Sequence, residues 1–238
     1  MGMPVIVNIP TAGAATLEQV FDYFHAVDAR FSTYKDDSEI SKINRSEIVP
    51  ANYSNEMRTI FALAEQTSRE TAGYFSITRP DGRVDPSGVV KGWAICEAAK
   101  LVESLGYTNY YVEVGGDIQT RGADERGEAW TIGIRNPFKQ QEMVKVLRPD
   151  GRGVATSGTY VRGQHIYNPH DPAQALTDVV SLTVVGPDIY EADRFATAAF
   201  AMGKDGVYFI EQLPGFEGYA IDAHGMATMT SGFTNLTL

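Results

Sequence analysis

Apolar positions along the chain recur with two different periods, and the changes between them divide it into elements. Residues 4–9 (PVIVNI) predict a short strand. Thr16 and Gln19 have capping-box spacing and predict the start of a helix, with Leu17, Val20, Phe21, Phe24 and Val27 on one face. Ser54 is placed to cap a second helix, in which Met57, Ile60, Phe61 and Ala64 recur at helical spacing. The clearest helix covers 86–105. Val89, Val90, Trp93, Ala94, Ala98, Leu101, Val102 and Leu105 form its apolar stripe, and Gly106 stands where a C-terminal cap belongs.

Strand patterns dominate the second half. YYVEV (110–114) reads as a strand broken by Gly115-Gly116-Asp117, and WTIGIR (130–135) alternates as a strand does. GVATSG (153–158) and the run from Val179 to Val185 add two more. Asp188 and Glu191 predict another capped helix, running to about Met202 and stopped by Gly203. YAID (219–222) and the residues after it predict a terminal hairpin. Helices and strands mix without a strict βαβ rhythm. The expected fold is therefore α+β, with mixed, mainly antiparallel sheets packed against helices. No repeat, linker or sharp boundary divides residues 1–238, which are expected to form one domain.

Composition changes this picture mainly by exclusion. Of 238 residues, 43% are hydrophobic and 21% charged, as in an ordinary soluble globular protein. The formal net charge of -10, with no cluster of Lys and Arg, argues against a nucleic-acid partner. A protein this acidic needs local positive charge or a metal ion to bind an anionic ligand. Cys96 is the single cysteine, so no intrachain disulfide is possible, and it is expected to serve packing. No run approaches the roughly 18 apolar residues of a membrane span, and the start has no signal-peptide pattern. The expected location is the cytoplasm, with a trimmed leader as the competing possibility.

Three constellations carry candidate chemistry. In Asp85-Pro-Ser-Gly88-Val-Val-Lys91-Gly92, a lysine and two glycines stand at a predicted helix start, where free N–H groups and the helix dipole favour an anion. The plain alternative is a turn with a solvated lysine. Asp193 and Thr197 are i and i+4 in a predicted helix, offering a carboxylate and a hydroxyl to a hard cation such as Mg²⁺. The competing reading is a solvated face, with Asp193 paired to Arg194 or a neighbour. His165, among hydroxyls in ATSGTYVRGQHIYNP, is placed either to take a proton from an incoming hydroxyl or to hold the Asn168-Pro169 turn. His170 reads as surface.

Taken in order, these segments resemble the FAD:protein FMN transferase (ApbE) family. The resemblance runs through MGMPV, FSTYKDDSEISKIN (31–44), DPSGVVKGWA (85–94), VEVGGDIQTRG (112–122), VATSGTYVRGQHIYNP (154–169), EADRFATAAFAMG (191–203) and SGF (231–233). It implies an ApbE-like, T-fold-like architecture and Mg²⁺-dependent transfer of FMN from FAD to a Thr or Ser hydroxyl of a flavoprotein acceptor, releasing AMP. It further implies that Asp193, Thr197 and the backbone oxygen of Gly88 hold the metal. Asp85 and Lys91 would contact the dinucleotide, with Met1, Tyr34 and Gly73-Tyr74-Phe75 around it, and His165 would be the base.

The chain departs from the family pattern in three places. The insertion usual between FSIT (75–78) and Asp85 is short, Ser87 replaces a glycine, and Asn168 with His170-Asp171 replaces the usual turn after the histidine. Two other functions share the same ligands: hydrolysis of FAD to FMN and AMP, and flavin binding without turnover. The sequence leaves acceptor, oligomeric state and the choice between Mg²⁺ and Mn²⁺ open.

Overall fold

The computed structural model describes residues 2–139, 141–159, 166–173 and 175–238. Its centre is a seven-stranded sheet of order β1-β2-β3-β6-β7-β8-β9, every pairing of which is antiparallel. The strands are β1 (Val5–Asn8), β2 (Tyr110–Val114), β3 (Asp117–Arg121), β6 (Gly153–Gly158), β7 (Val179–Gly186), β8 (Glu217–Asp222) and β9 (Ala227–Met229). Between β3 and β6 the chain forms a separate two-stranded sheet, β4 (Ile132–Arg135) with β5 (Met143–Leu147). The helices are α1 (Ala14–Phe31), α2 (Glu39–Asn44), α3 (Asn55–Glu70), α4 (Ser87–Ser104), α5 (Ile189–Ala201) and α6 (Gly206–Glu211). The α+β expectation holds.

Alternation along the strands assigns the two faces of the large sheet. Tyr110, Val112 and Val114 of β2, Ala155 of β6, Leu182 and Val184 of β7 and Ala220 of β8 join the helices in one apolar core. Ile118, Val154, Val185, Tyr219 and Ile221 point the other way, against Ile132, Ile134 and Leu147 of the small sheet and the C-terminal Phe233 and Leu236. Gly115 and Gly116 join β2 to β3 with φ of +60° and +97°, the left-handed pair that a two-residue hairpin turn requires. That turn delivers Asp117 at the first position of β3.

α4 lies between α1 and α5 in the helical layer. This central place explains why it buries Val89, Ala94, Ile95, Cys96, Ala99 and Val102 around most of its circumference instead of along one narrow stripe. Leu105 falls outside the stripe expected for it: it is the C-cap residue and is exposed. Gly106, at φ +90°, closes the helix as anticipated, with its N–H donating to Glu103 O and that of Tyr107 to Val102 O.

Helix starts follow their caps where a side chain is free to serve. Ser54 accepts from Met57 N at 3.1 Å to open α3, and Asp188 accepts from Glu191 N at 2.9 Å to open α5. Thr16 does not cap α1, which begins at Ala14 behind Gly13; its hydroxyl hydrogen-bonds that of Tyr107 at 3.1 Å instead. Phe21, expected on the buried face of α1, is exposed, and Phe31 completes that face.

Candidate functional site

A cleft of about 1310 Å³ runs across the open end of β6, from the N-terminus of α4 to β4. Gly88, Lys91 and Thr197 form its wall on the helical side, with Tyr74, Phe75 and Asp85 nearby. Tyr34 stands at its rim, 87% exposed. The far end is bounded by Tyr111, Ile118 and β4. Such a space exceeds the roughly 300–1,000 Å³ of common small-molecule pockets and suits an extended ligand.

Below this wall α4 and α5 meet at their closest. The Gly92 N–H donates to Asp193 Oδ2 at 2.8 Å, joining residues 101 apart in sequence. A Cβ at position 92 would stand 2.7 Å from Asp193 Cβ and 2.9 Å from the Ile189 carbonyl oxygen, so no larger residue fits there without displacing backbone. A regular α-helix directs the Gly92 N–H to the carbonyl of Gly88. Asp193 therefore takes a share of the donor that would otherwise belong wholly to Gly88.

Lys91 Nζ pairs with Asp117 Oδ2 and lies 3.2 Å from Asp193 Oδ1. Asp117 is turned by β6, whose Thr156 N–H donates to Asp117 Oδ1 at 3.0 Å. Burial pushes the Asp193 carboxyl up to about 7; Lys91 opposes that rise and Asp117 adds to it. Once Asp193 is ionised, two carboxylates around one ammonium give this buried cluster a formal surplus of negative charge, the condition that favours a cation.

Arg194 does not pair with Asp193. It leaves α5 on another side, where its guanidinium binds Glu191 at 2.6 and 3.0 Å, Glu70 of α3, and the ring face of Phe195 at 4.0 Å. Asp193 is thus committed to the cleft side and Arg194 to anchoring α5 on α3.

Asp85 accepts from Ser87 N at 3.1 Å and steadies the turn into α4. Phe75 is buried and packs on Gly88, where a Cβ would meet its ring at 3.1 Å and the Thr197 methyl at 3.4 Å. Gly73 does not line the cleft. It lies beside His170, whose Nε2 is 3.0 Å from Ala72 O and whose ring meets Tyr74 edge-on, with centroids 4.5 Å apart. His170 is exposed, as anticipated, yet it braces the Gly73–Phe75 segment. Met1 and His165 lie outside the described residues.

Asp117 is a site residue absent from the candidates drawn from the sequence. Its sequence signals are its place directly after the Gly115-Gly116 turn and its inclusion in the family-like segment 112–122.

Among the described residues there is no group of three or more His, Cys, Asp and Glu side chains placed to hold a metal. The donor types present suit Mg²⁺ nonetheless. Gly88 and Thr197, whose hydroxyl has no hydrogen-bond partner among the described residues, line the cleft wall, and the Asp193 carboxylate lies buried behind Lys91. Carbonyl, hydroxyl and carboxylate are the hard oxygens Mg²⁺ takes, its shell being completed by phosphate and water.

Fold and site together define an α+β protein in which a lysine-bearing helix start stands beside a buried carboxylate at the wall of a cleft of about 1310 Å³. The chain belongs to the ApbE family, whose sequence model matches residues 1–81 and 78–220. It is 32% identical over 170 residues to "FAD:protein FMN transferase" of Vibrio cholerae, a match covering 68% of this chain and 51% of that protein. The matched region therefore spans about half the length of this curated relative. The solved "Flavin Transferase ApbE from Vibrio cholerae" superposes with a TM-score of 0.84 at 24% identity, covering 99% of this chain and 96% of that one. The ApbE protein of Thermotoga maritima superposes with a TM-score of 0.85 at 21% identity, covering 100% and 96%. Both structures share the fold. No helix among the described residues is long and apolar enough to cross a membrane.

Proposed function

We propose that this chain is a flavin transferase that moves FMN from FAD onto a Thr or Ser hydroxyl of an acceptor protein, releasing AMP. The observation that carries the reading is the arrangement of Gly88, Lys91 and Thr197 at the wall of a cleft of about 1310 Å³, with Asp193 directly behind Lys91, in an ApbE-family chain. The names of the curated relatives supply the donor and the type of acceptor.

In this reading the α4 N-terminus and the Lys91 ammonium bind the FAD pyrophosphate, offsetting the acidity of the chain. Asp193, Thr197 and the Gly88 carbonyl hold Mg²⁺, which when bound neutralises charge developing on the phosphates. Asp85 fixes the turn that aims the N–H groups of α4. Tyr34 and Tyr74 offer ring surface to the flavin or adenine. His165 is the assigned base, taking the proton of the acceptor hydroxyl as its oxygen bonds to the FMN phosphorus. The bond from that phosphorus to the bridging oxygen breaks, and AMP leaves with the oxygen. The remaining contribution of the protein is alignment.

The test is incubation of the protein with FAD, Mg²⁺ and an acceptor fragment bearing an exposed Thr or Ser, read as flavin fluorescence on the acceptor in a denaturing gel. A fluorescent band abolished by EDTA is the expected result. Release of AMP and free FMN with a dark acceptor points to hydrolysis, and intact FAD points to binding without turnover.

A further inference from the structure

One ammonium group serves two buried carboxylates at the junction of β3, α4 and α5. The side chains of Asp117 and Asp193 are 1% and 2% exposed, and that of Lys91 is 14% exposed. Lys91 with Asp193 alone would make a neutral pair. Adding Asp117 makes the cluster formally anionic, and burying an unbalanced charge is costly. Packing does not require it, since the backbone link from Thr156 N to Asp117 Oδ1 uses one oxygen that an amide would also provide. The second oxygen, Oδ2, is given to Lys91.

We propose that Asp117 is a positioning residue that engages the Lys91 ammonium, so that Lys91 is shared between two carboxylates and does not by itself neutralise Asp193 against a divalent cation. The inference rests on the assignment of Asp193 as a metal ligand made above. With a carboxylate side chain at 117, the Lys91 ammonium is engaged by Asp117 as well as by Asp193, and the cation meets an Asp193 whose partner is shared. With a neutral residue at 117, Lys91 balances Asp193, and an arriving cation meets a neutral pair with an ammonium a few ångströms away. Asp117 also keeps that ammonium on the cleft wall, where an anionic ligand meets it.

The experiment is titration of Mn²⁺ alone into the full chain at pH 8, with free Mn²⁺ read by electron paramagnetic resonance. D117N is expected to weaken binding about tenfold or more, from the electrostatics of a nearby unit charge. The double variant K91M/D117N removes both charges and is expected to return the affinity to within about threefold of wild type. That rescue separates an electrostatic role from a packing role, because a packing defect at 117 would persist or worsen in the double variant. D117S, which also lacks the charge, replaces D117N if circular dichroism shows D117N unfolded. D193A is the control. If D193A binds Mn²⁺ as wild type does, or if wild type binds none, the metal assignment itself is overturned. If D193A loses binding but D117N does not weaken it, or K91M/D117N does not restore it, the role of Asp117 alone is overturned.

Discussion

The Gly92 N–H and the Asp193 Oδ2 oxygen are hydrogen-bonded at 2.8 Å, and this contact fixes how α4 and α5 share one site. Replacing Gly92 with Ala places a methyl 2.7 Å from Asp193 Cβ and 2.9 Å from the Ile189 carbonyl oxygen. The helices must then separate or α5 must turn. G92A is expected to lower stability by about 1–3 kcal/mol, as overpacking does. It is also expected to raise the Mg²⁺ concentration needed for half-maximal activity. Thermal unfolding and a Mg²⁺ titration of the transfer rate measure the two effects separately. A stable G92A with unaltered Mg²⁺ dependence would show that the contact has no bearing on the site.

Arg194 is the structural counterpart of Asp193 on α5. It is 4% exposed and binds carboxylates from two helices. R194A leaves Glu70 and Glu191 without their shared partner and a void beside Phe195. Since both carboxylates retain some contact with solvent, the expected loss is about 2–3 kcal/mol, below the figure for a fully buried pair. Chemical denaturation checks this. R194K should recover little of it, because an ammonium cannot span both acids or stack on Phe195 as a guanidinium does.

Cys96 is expected to be unreactive in the folded chain. It is 8% exposed, and burial raises its thiol from 9.0 to about 11. A raised thiol pKa means less thiolate at any pH below it. At pH 8 the shift alone lowers the thiolate fraction roughly a hundredfold. Modification by a disulfide reagent at pH 8 should therefore be slow in the native protein and fast in denaturant. Equal rates in the two states would contradict the burial of this residue.

How much of this was legible in advance depends on how far each residue's partner lies along the chain. α5 could be read because its cap, Asp188 to Glu191, is local, and Ala192, Ala196, Ala198 and Ala199 advertise close packing. β3 was not legible as a strand. Asp117, Gln119 and Thr120 are polar yet buried, and they break the expected alternation. Their bonds run to distant partners: Thr156 for Asp117, and Ile189 N and Gly151 O for Gln119. The short helices α2 and α6 and the strand β5 left too little periodicity to identify. The false start at Thr16 has a related cause, since capping-box spacing is a local signal and a tertiary bond to Tyr107 claims the hydroxyl.

Helical spacing and the resemblance of segment 191–203 to the family both pair Thr197 with Asp193. Thr197 reaches the cleft, whereas Asp193 is buried behind Lys91. T197V keeps the shape and removes the hydroxyl, so it is expected to raise the Mg²⁺ requirement without a large change in stability. D193N is expected to abolish activity at limiting Mg²⁺. Rates measured across a Mg²⁺ series distinguish the two. A D193N protein with a wild-type rate at low Mg²⁺ would refute the metal assignment.

The most direct test of the proposed chemistry is a count of products. Intact-mass spectrometry of the acceptor after reaction with FAD and Mg²⁺ gives the amount of covalent FMN, and chromatography gives the AMP released. One AMP for each FMN attached, with no adduct on an acceptor whose Thr or Ser is replaced by Ala, is the result the account predicts. AMP and free FMN formed in equal amounts with no mass added to the acceptor would contradict it.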